Sequence, residues 1–357
     1  MLVSDQGVAG AGLLKLVEKA FQPDAAEQIV AVYDQTPPDS SDKVVNELAR
    51  LFRANSCDVF LAVGGGSVID TAKGANIVVA AGSEDLNKLQ GIDNIDFDLK
   101  PTIVVPTTSG TGSEVTRVAV IKNVDRHVKM LFGADKLLPE TAILDPRMTA
   151  TVPPRITAAT GMDALTHAME ACIDLQKNPI DDAYAKAAIE LIAKYLVRAV
   201  EDGSDLEARL AMANASTFAG VAFSNAMVGV VHSTAHATGA ICGVPHGVAN
   251  AILLPWGLEF NLPKVAGYIG ELAPALGGGP AINPEPAEQA RVTIQLVRDL
   301  LERLNKACGL PIRLRDAGVT EDKLPEIART AINDGCLMYN PDDVTYAEAL
   351  EILKKAF

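Results

Sequence analysis

Asp163 and His167 stand one helical turn apart in Gly161-Met162-Asp163-Ala164-Leu165-Thr166-His167, and His232 and His236 repeat that spacing further along. Side chains four residues apart share one face of a helix, so each pair can offer two ligands to one cation. His246 follows a glycine-rich turn, ICGVPHG, at what reads as a further helix start. One carboxylate with three imidazoles suits Fe²⁺ or Zn²⁺ and is too rich in nitrogen for Ca²⁺ or Mg²⁺. Spacing alone leaves open whether His232 or His236 completes the set. The plainer account of any single histidine is a hydrogen-bonded core residue. Against it, His232, His236 and His246 all fall in a stretch, Leu210 to Leu258, that holds no Asp, Glu, Lys or Arg. A carboxylate buried with them is costly unless a cation balances it. The fifth histidine, His127, sits among charges and reads as solvated.

Two segments nearer the N-terminus have the chemistry of phosphate and ribose binding. Val63-Gly64-Gly65-Gly66-Ser67 follows the apolar run DVFLAV and leads into VIDTAKG, a helix start. Glycines let the backbone approach a ligand and turn sharply, and the helix then offers free N–H groups to an anion. Pro106-Thr107-Thr108-Ser109-Gly110-Thr111-Gly112-Ser113 follows a second apolar run, with five hydroxyls and two glycines after a strand end. Either segment alone is an ordinary tight turn or polar loop. Two at successive strand ends point to the ligand-binding edge of a parallel sheet. The usual G-x-G-x-x-G fingerprint is missing, since Gly7, Gly10 and Gly12 approach it without fitting its spacing. Asp5 closes the first strand pattern and is placed to accept from a ribose diol. Asp34, closing the second, is the rival, and either also suits a plain strand-end turn.

The elements that must carry these groups change character along the chain. Met1–Val3, Ile29–Tyr33, Asp58–Val63 and Thr102–Val105 are short apolar runs, separated by helix-like stretches such as Leu13–Phe21 and Asp42–Asn55. That alternation predicts a parallel sheet with helices packed on it. Strand signals nearly vanish beyond Asp145-Pro146 and Pro153-Pro154. Residues 155–200, 205–230, 286–308 and 343–356 read as helices, and 277–287 as a surface loop between them. The expected organisation is an α/β domain over 1–150 and an all-helical domain over 151–357.

Composition excludes several classes. Of 357 residues, 31 are Lys or Arg and 45 are Asp or Glu, a formal charge of −14 that disfavours nucleic acid and anionic membrane surfaces as partners. The charge-free stretch holds Asn214, Ser216, Asn225, Pro245, three histidines and many glycines, so it reads as buried helices carrying a site rather than a bilayer span. Five cysteines with no C-x-x-C pair suit a reducing compartment, and MLVSDQG is no signal peptide, so a cytoplasmic protein is expected.

Taken together, GGGSVIDTAKG, PTTSGTGSEVT, GMDALTHAMEA and HSTAHATGAICGVPHGVANAILLP resemble the signature blocks of the iron-containing (group III) alcohol dehydrogenases, in the family's order. The resemblance implies the dehydroquinate synthase-like arrangement, with a dinucleotide-binding α/β domain, a helical metal domain and an active site between them. It implies metal ligands at Asp163, His167, His232 and His246, which would leave His236 outside the ligand set, near nicotinamide and substrate. Gly65, Gly66 and Ser67 match the family's pyrophosphate loop. Thr107, Thr108 and Thr111 match its cofactor-contacting threonines, Asp5 the acid near the adenosine ribose, and Lys129 a lysine that approaches the cofactor. Family members usually carry a further N-terminal strand and helix, and that strand often helps subunits pair. A misassigned start codon or a different assembly would account for the difference. Val118 stands where many members have a larger side chain, often Phe, which implies a wider pocket.

The implied activity is an NAD(P)-dependent alcohol dehydrogenase or aldehyde reductase, assembled as a homodimer or higher homo-oligomer. Its substrates would be small primary alcohols, diols or the matching aldehydes. Fe²⁺ is the expected metal, with Zn²⁺ as the alternative. An acid at Asp5 suits the 2′-hydroxyl of NAD and would repel the extra phosphate of NADP. His236 is placed to relay the proton. Two other readings are a metal- and NAD-dependent lyase or cyclase without net redox, and a non-catalytic metal-binding subunit. The first needs basic residues around the histidines, which the charge-free stretch lacks. The second would leave degraded ligands or a broken glycine loop, and neither is seen.

Overall fold

The computed structural model describes residues 1–21, 28–126, 128–279 and 285–357. His127 and residues 280–284 of the 277–287 loop lie outside the described residues. The chain divides into two units. The first comprises Met1–Thr108 and Gly112–Thr151; the second comprises Ser109–Thr111 and Val152–Phe357.

The first unit opens with strand β1 (Leu2–Val3), short helices α1 (Gln6–Gly10) and α2 (Leu14–Glu18), strand β2 (Val32–Tyr33) and helix α3 (Asp42–Ala54). Strand β3 (Phe60–Gly64), helix α4 (Gly66–Ala81) and strands β4 (Gly91–Ile92), β5 (Thr102–Pro106), β6 (Val118–Asn123), β7 (Val128–Gly133) and β8 (Thr141–Ala142) follow. The main sheet has the order β2-β1-β3-β5-β8, every pairing parallel. Both its faces are covered, which is why β3 reads FLAVG, apolar and buried throughout. Successive side chains point to opposite faces. Val3, Phe60 and Ala62 pack with Val45, Leu48 and Phe52 of α3, and Phe52 stacks on Phe60 at 4.1 Å. Leu2, Leu61 and Val63 join Val8, Leu13 and Met148 on the other side. The sequence pattern did not reveal a second sheet of order β4-β7-β6, built on the antiparallel β6–β7 pair. The expected helix over 13–21 is only α2, and the strand expected over 29–33 contracts to two residues.

The second unit contains, among the described residues, α5 (Pro154–Ala171), α6 (Pro179–Glu201), α7 (Leu206–Ala226), α8 (Val230–Cys242), α9 (His246–Gly270), α10 (Pro286–Cys308), α11 (Leu324–Ala331) and α12 (Tyr346–Ala356). One apolar cluster runs through it, rich in alanine along α5, α6 and α7. Small side chains permit close helix packing: a Cβ at Gly247 would stand 2.5 Å from the Ala159 carbonyl oxygen, so the start of α9 lies directly on α5. The helix expected over 205–230 is α7, which stops at Ala226; α8 begins at Val230 and is bent from it by 104°. The break uses Met227 at φ 73°, followed by Gly229 before the first turn of α8. Among the described residues no single helix is long and apolar enough to cross a membrane, though the bent pair passes that test by composition. Arg209, where the charge-free stretch begins, is buried and donates to Thr157 Oγ1 and to the carbonyls of Gly203 and Val152.

Candidate active site

Asp163 and His167 lie on the buried face of α5, His232 in the first turn of α8, and His246 at the first position of α9. One ligand atom from each lies within 4.8 Å of the others. Asp163, His167 and His232 are buried, and His246 is partly open. The rings are fixed by stacking: His167 lies on Phe223 at 4.1 Å and on His232 at 4.5 Å. Burial lowers the pKa of His167 and takes that of His232 well below its ordinary value, so both rings are neutral lone-pair donors.

The surroundings test whether a divalent ion fits. Asn250 Nδ2 donates to Asp163 Oδ1 at 2.6 Å and faces His232 Nε2 at 3.2 Å and His246 Nε2 at 3.1 Å. An amide with two hydrogens thus meets three acceptors, and positive charge is what those acceptors lack. His167 Nδ1 is buried without a partner. An orphaned imidazole nitrogen, a buried carboxylate and two further Nε2 atoms suit Fe²⁺ or Zn²⁺.

Glu170 supplies the support beneath these groups. It is fully buried, and its Oε2 lies 2.5 Å from His232 Nδ1. Its Oε1 accepts from the Val231 backbone N–H at 2.8 Å. Donation from Nδ1 leaves the His232 Nε2 lone pair facing the other three side chains of the group, as a metal-holding histidine would require. Burial pushes the Glu170 carboxyl up to about 7, against the pull of the Val231, Gly229 and His232 backbone N–H groups. Asp174, one turn further along, is raised well above the usual range by burial and then by Glu170. Asn340 Oδ1 accepts from the Val230 N–H, completing the anchorage of the start of α8.

His236 lies outside the group of four. Its ring stacks on that of His246 at 5.2 Å, and its Nδ1 is 2.9 Å from Asp334 Oδ2. The four-residue group therefore contains His232, while His236 groups with Asp334 and Cys336.

In the first unit, the two glycine and hydroxyl segments emerge side by side from β3 and β5, whose register pairs Gly64 with Pro106. The Thr107 N–H donates to the Gly64 carbonyl at 3.1 Å. A Cβ at Gly64 would meet Val68 Cγ2 at 2.4 Å, and one at Gly65 would meet Thr108 Oγ1 at 3.1 Å. Gly65 caps α4, so Gly66 and Ser67 open the helix with N–H groups that have no intrahelical acceptor. Ser67 Oγ accepts from the Asp39 N–H at 3.3 Å. Thr107 is buried, Thr108 and Thr111 are half-buried, and Thr111 belongs with the helical unit.

The motif's two charged residues serve structure. Buried Lys73 Nζ donates to the carbonyls of Ser113, Thr116 and Val118, and burial lowers its pKa to about 8. Asp70 accepts from Ser113 Oγ and the Val120 N–H. Together they fasten α4 to the second loop, and Val118 enters β6 directly from that fastening. Asp5 Oδ1 accepts from the Val8 N–H at 2.9 Å and caps α1. Asp34 accepts from the Gln35 side chain. Lys129 is exposed and pairs with Asp39 at 3.1 Å.

Glu170, Asn250 and Asp334 were not singled out from sequence. For two of them the signal existed: Glu170 is three residues after His167 and seven after Asp163, on the same face of α5, and Asn250 is four after His246.

A parallel-sheet unit with paired glycine and hydroxyl loops, joined to a helical unit holding one carboxylate and three imidazoles, defines the class of metal-type, nucleotide-dependent oxidoreductases. The family model for iron-containing alcohol dehydrogenase matches residues 1–146, and that for the C-terminal region of the Fe-containing alcohol dehydrogenase family matches 157–357. The chain belongs to the iron-containing alcohol dehydrogenase family. It is 41% identical over 330 residues to a 1,3-propanediol dehydrogenase of Klebsiella pneumoniae, covering 92% of this chain and 83% of that one. It is 36% identical over 356 residues to an NAD-dependent methanol dehydrogenase of Bacillus methanolicus, covering 100% and 91%. The solved structure of an alcohol dehydrogenase from Oenococcus oeni matches with TM-score 0.94 at 34% identity, covering 100% and 91%.

Proposed function

We propose that the protein is an NAD-dependent, iron-type alcohol dehydrogenase that interconverts small primary alcohols or diols with their aldehydes. The observation that carries this reading is the convergence of Asp163, His167, His232 and His246 within 4.8 Å, in a chain of this family. These four side chains would hold the ion, and Glu170 keeps His232 in the tautomer that presents Nε2. A divalent ion in such a set supplies Lewis acidity to an alcohol or carbonyl oxygen, while a nicotinamide takes up or delivers the hydride.

The chain's own residues do the rest. His236, its Nδ1 side turned to Asp334, is left with Nε2 to accept or give the substrate's proton. The backbone at Gly65, Gly66 and Ser67 offers N–H groups to a pyrophosphate. Hydroxyls of Thr107, Thr108 and Thr111 are the candidate partners of the rest of the cofactor. Asp5, with one oxygen used for capping, keeps the other for a ribose diol, and this favours NAD over NADP. Lys129 would approach the cofactor by releasing Asp39.

Assembly as a homodimer or larger homo-oligomer belongs to the same reading. It is supported by exposed Val30 and Val32 at β2, the edge of the main sheet. Five free cysteines support residence in the cytoplasm. The decisive experiment is metal analysis of the purified protein with a panel of alcohols and aldehydes assayed with NAD(H) and NADP(H). Metal-free protein with full activity would overturn the assignment, and so would a metal-bound protein that never changes nicotinamide absorbance.

A further inference from the structure

Beside the four-ligand group lies a second convergence, of different chemistry. His236, Asp334 and Cys336 each present one donor atom, all within 4.8 Å of one another. His236 Nδ1 is 2.9 Å from Asp334 Oδ2 and 4.0 Å from Cys336 Sγ. The three are held before any ion arrives. Asp334 Oδ1 accepts from the Cys336 backbone N–H at 2.9 Å, which fixes the Asp-Gly-Cys turn. The His236 ring is held against His246 by stacking.

We propose that His236 Nδ1, the Asp334 carboxylate and the Cys336 sulfur form a second, inhibitory site for a zinc-class divalent ion. Sulfur, nitrogen and oxygen donors together suit Zn²⁺ and exclude Mg²⁺ or Ca²⁺. Bonds of about 2.0 Å to N and O and 2.3 Å to S require donor atoms roughly 3.3–3.6 Å apart. The 2.9 and 4.0 Å separations reach that with shifts well under 1 Å. The His236 and Asp334 side chains keep 35% and 23% of their surface exposed, so water can fill a fourth position. Asp334 places a carboxylate beside the Cys336 thiol, and a cation there would offset both that charge and the burial that otherwise holds the thiol protonated.

Coordination has a consequence for the reaction, and this part rests on the role proposed for His236. Binding through Nδ1 moves the ring's single hydrogen to Nε2, and the thiol releases its proton to water. Nε2 can then no longer accept a proton from substrate. The inhibitor acts on the relay residue and leaves the four-ligand group intact.

The test uses the iron-loaded enzyme under anaerobic conditions, titrated with Co²⁺ as a spectroscopic stand-in and separately with Zn²⁺. The four-ligand group contains no sulfur, so a thiolate-to-cobalt charge-transfer band in the near ultraviolet reports only the second site. The expected result is such a band saturating at one added equivalent, with bound iron unchanged and alcohol oxidation falling in step as Zn²⁺ is added. Cys336→Ser should abolish the band and raise the Zn²⁺ needed for half-inhibition at least about tenfold. Asp334→Asn, which keeps the side-chain shape, should weaken the band's titration in the same direction. No band in the wild type, or a band that survives Cys336→Ser, overturns the site. Zinc inhibition that tracks iron release overturns the inhibitory role. The band is read without turnover, so its absence is distinct from failure of the dehydrogenase assignment.

Discussion

The helical unit and the sheet unit build their halves of the chemistry by different means. Around Asp163, His167, His232 and His246 the work is done by side chains, each backed by another: Glu170 under His232, Phe223 under His167, Asn250 among the lone pairs. At β3 and β5 the side chains are largely occupied with holding the loops together. Asp70 and Lys73 fasten loop to helix, Asp5 caps α1, and Lys129 pairs with Asp39. What remains for a ligand there is backbone N–H and a few hydroxyls. On the proposed function, a cation would be met by a prebuilt cage of side chains, and an anion by the shape of the main chain.

That contrast can be broken most forcefully at His246. His246→Ala should remove the metal and lower turnover by about three orders of magnitude, since Lewis-acid stabilisation is worth several kcal/mol. Iron content and steady-state rates measured together check it, with cofactor binding by the sheet unit unchanged. Glu170→Gln comes next. Metal affinity should fall by roughly ten- to a hundredfold, measured by competition with a chelator, because His232 loses its charged partner. A change below twofold would show that the cage does not depend on its support.

Acidification should separate the units. His167 and His232 are held below their ordinary pKa by burial, so the unfolded chain binds protons that the folded chain refuses. Their contribution to stability is present above about pH 6.5 and is lost as pH falls from there towards the folded values. Glu170 and Asp174, raised by burial, act in the opposite sense over the same window, so the histidine contribution is read with the glutamate removed: in Glu170→Gln, metal-free, the urea midpoint should fall more between pH 7.5 and 5.5 than in the wild type, and an equal change in both would contradict the burial argument.

Gly65→Ala tests the backbone half. Its Cβ would press on Thr108 Oγ1 at 3.1 Å, and NADH affinity by fluorescence should weaken by about tenfold with metal content intact. The smallest effect is expected at Asp5. Asp5→Gly should raise the preference for NADP relative to NAD by a few-fold, and its lost cap should cost only a few tenths of a kcal/mol of stability. An unchanged cofactor ratio would remove Asp5 from the ribose site.

The two halves were unequally legible in the sequence. Spacing of i and i+4 reaches side chains on helices, so Asp163, His167 and the three charge-free-segment histidines stood out. Glu170 has the same periodicity and was passed over, because a glutamate on a helix ordinarily faces water. The β6–β7 pair was missed because Val118 and Val120 on its outer face are as apolar as Ala119 and Ile121 on its inner one, which erases the alternation. The helix expected over 205–230 ends four residues early, at Ala226, because Met227 takes a positive φ that sequence ordinarily announces with glycine. Sheet-unit roles such as Lys73's were illegible for another reason: whether a lysine faces a phosphate or three of its own carbonyls depends on the return path of a loop forty residues away.

The corner at Gly229 ties backbone to reactivity. A methyl group there would collide with Asn340 Oδ1 at 2.6 Å, Asp174 Oδ1 at 2.9 Å and Glu170 Oε1 at 3.3 Å. The opening turn of α8 is seated against these oxygens, and His232 rides on that turn. A side chain at this corner, with no contact to the group of four, would thus tilt the His232 imidazole and, on the proposed role of that group, loosen its hold on a metal from a distance.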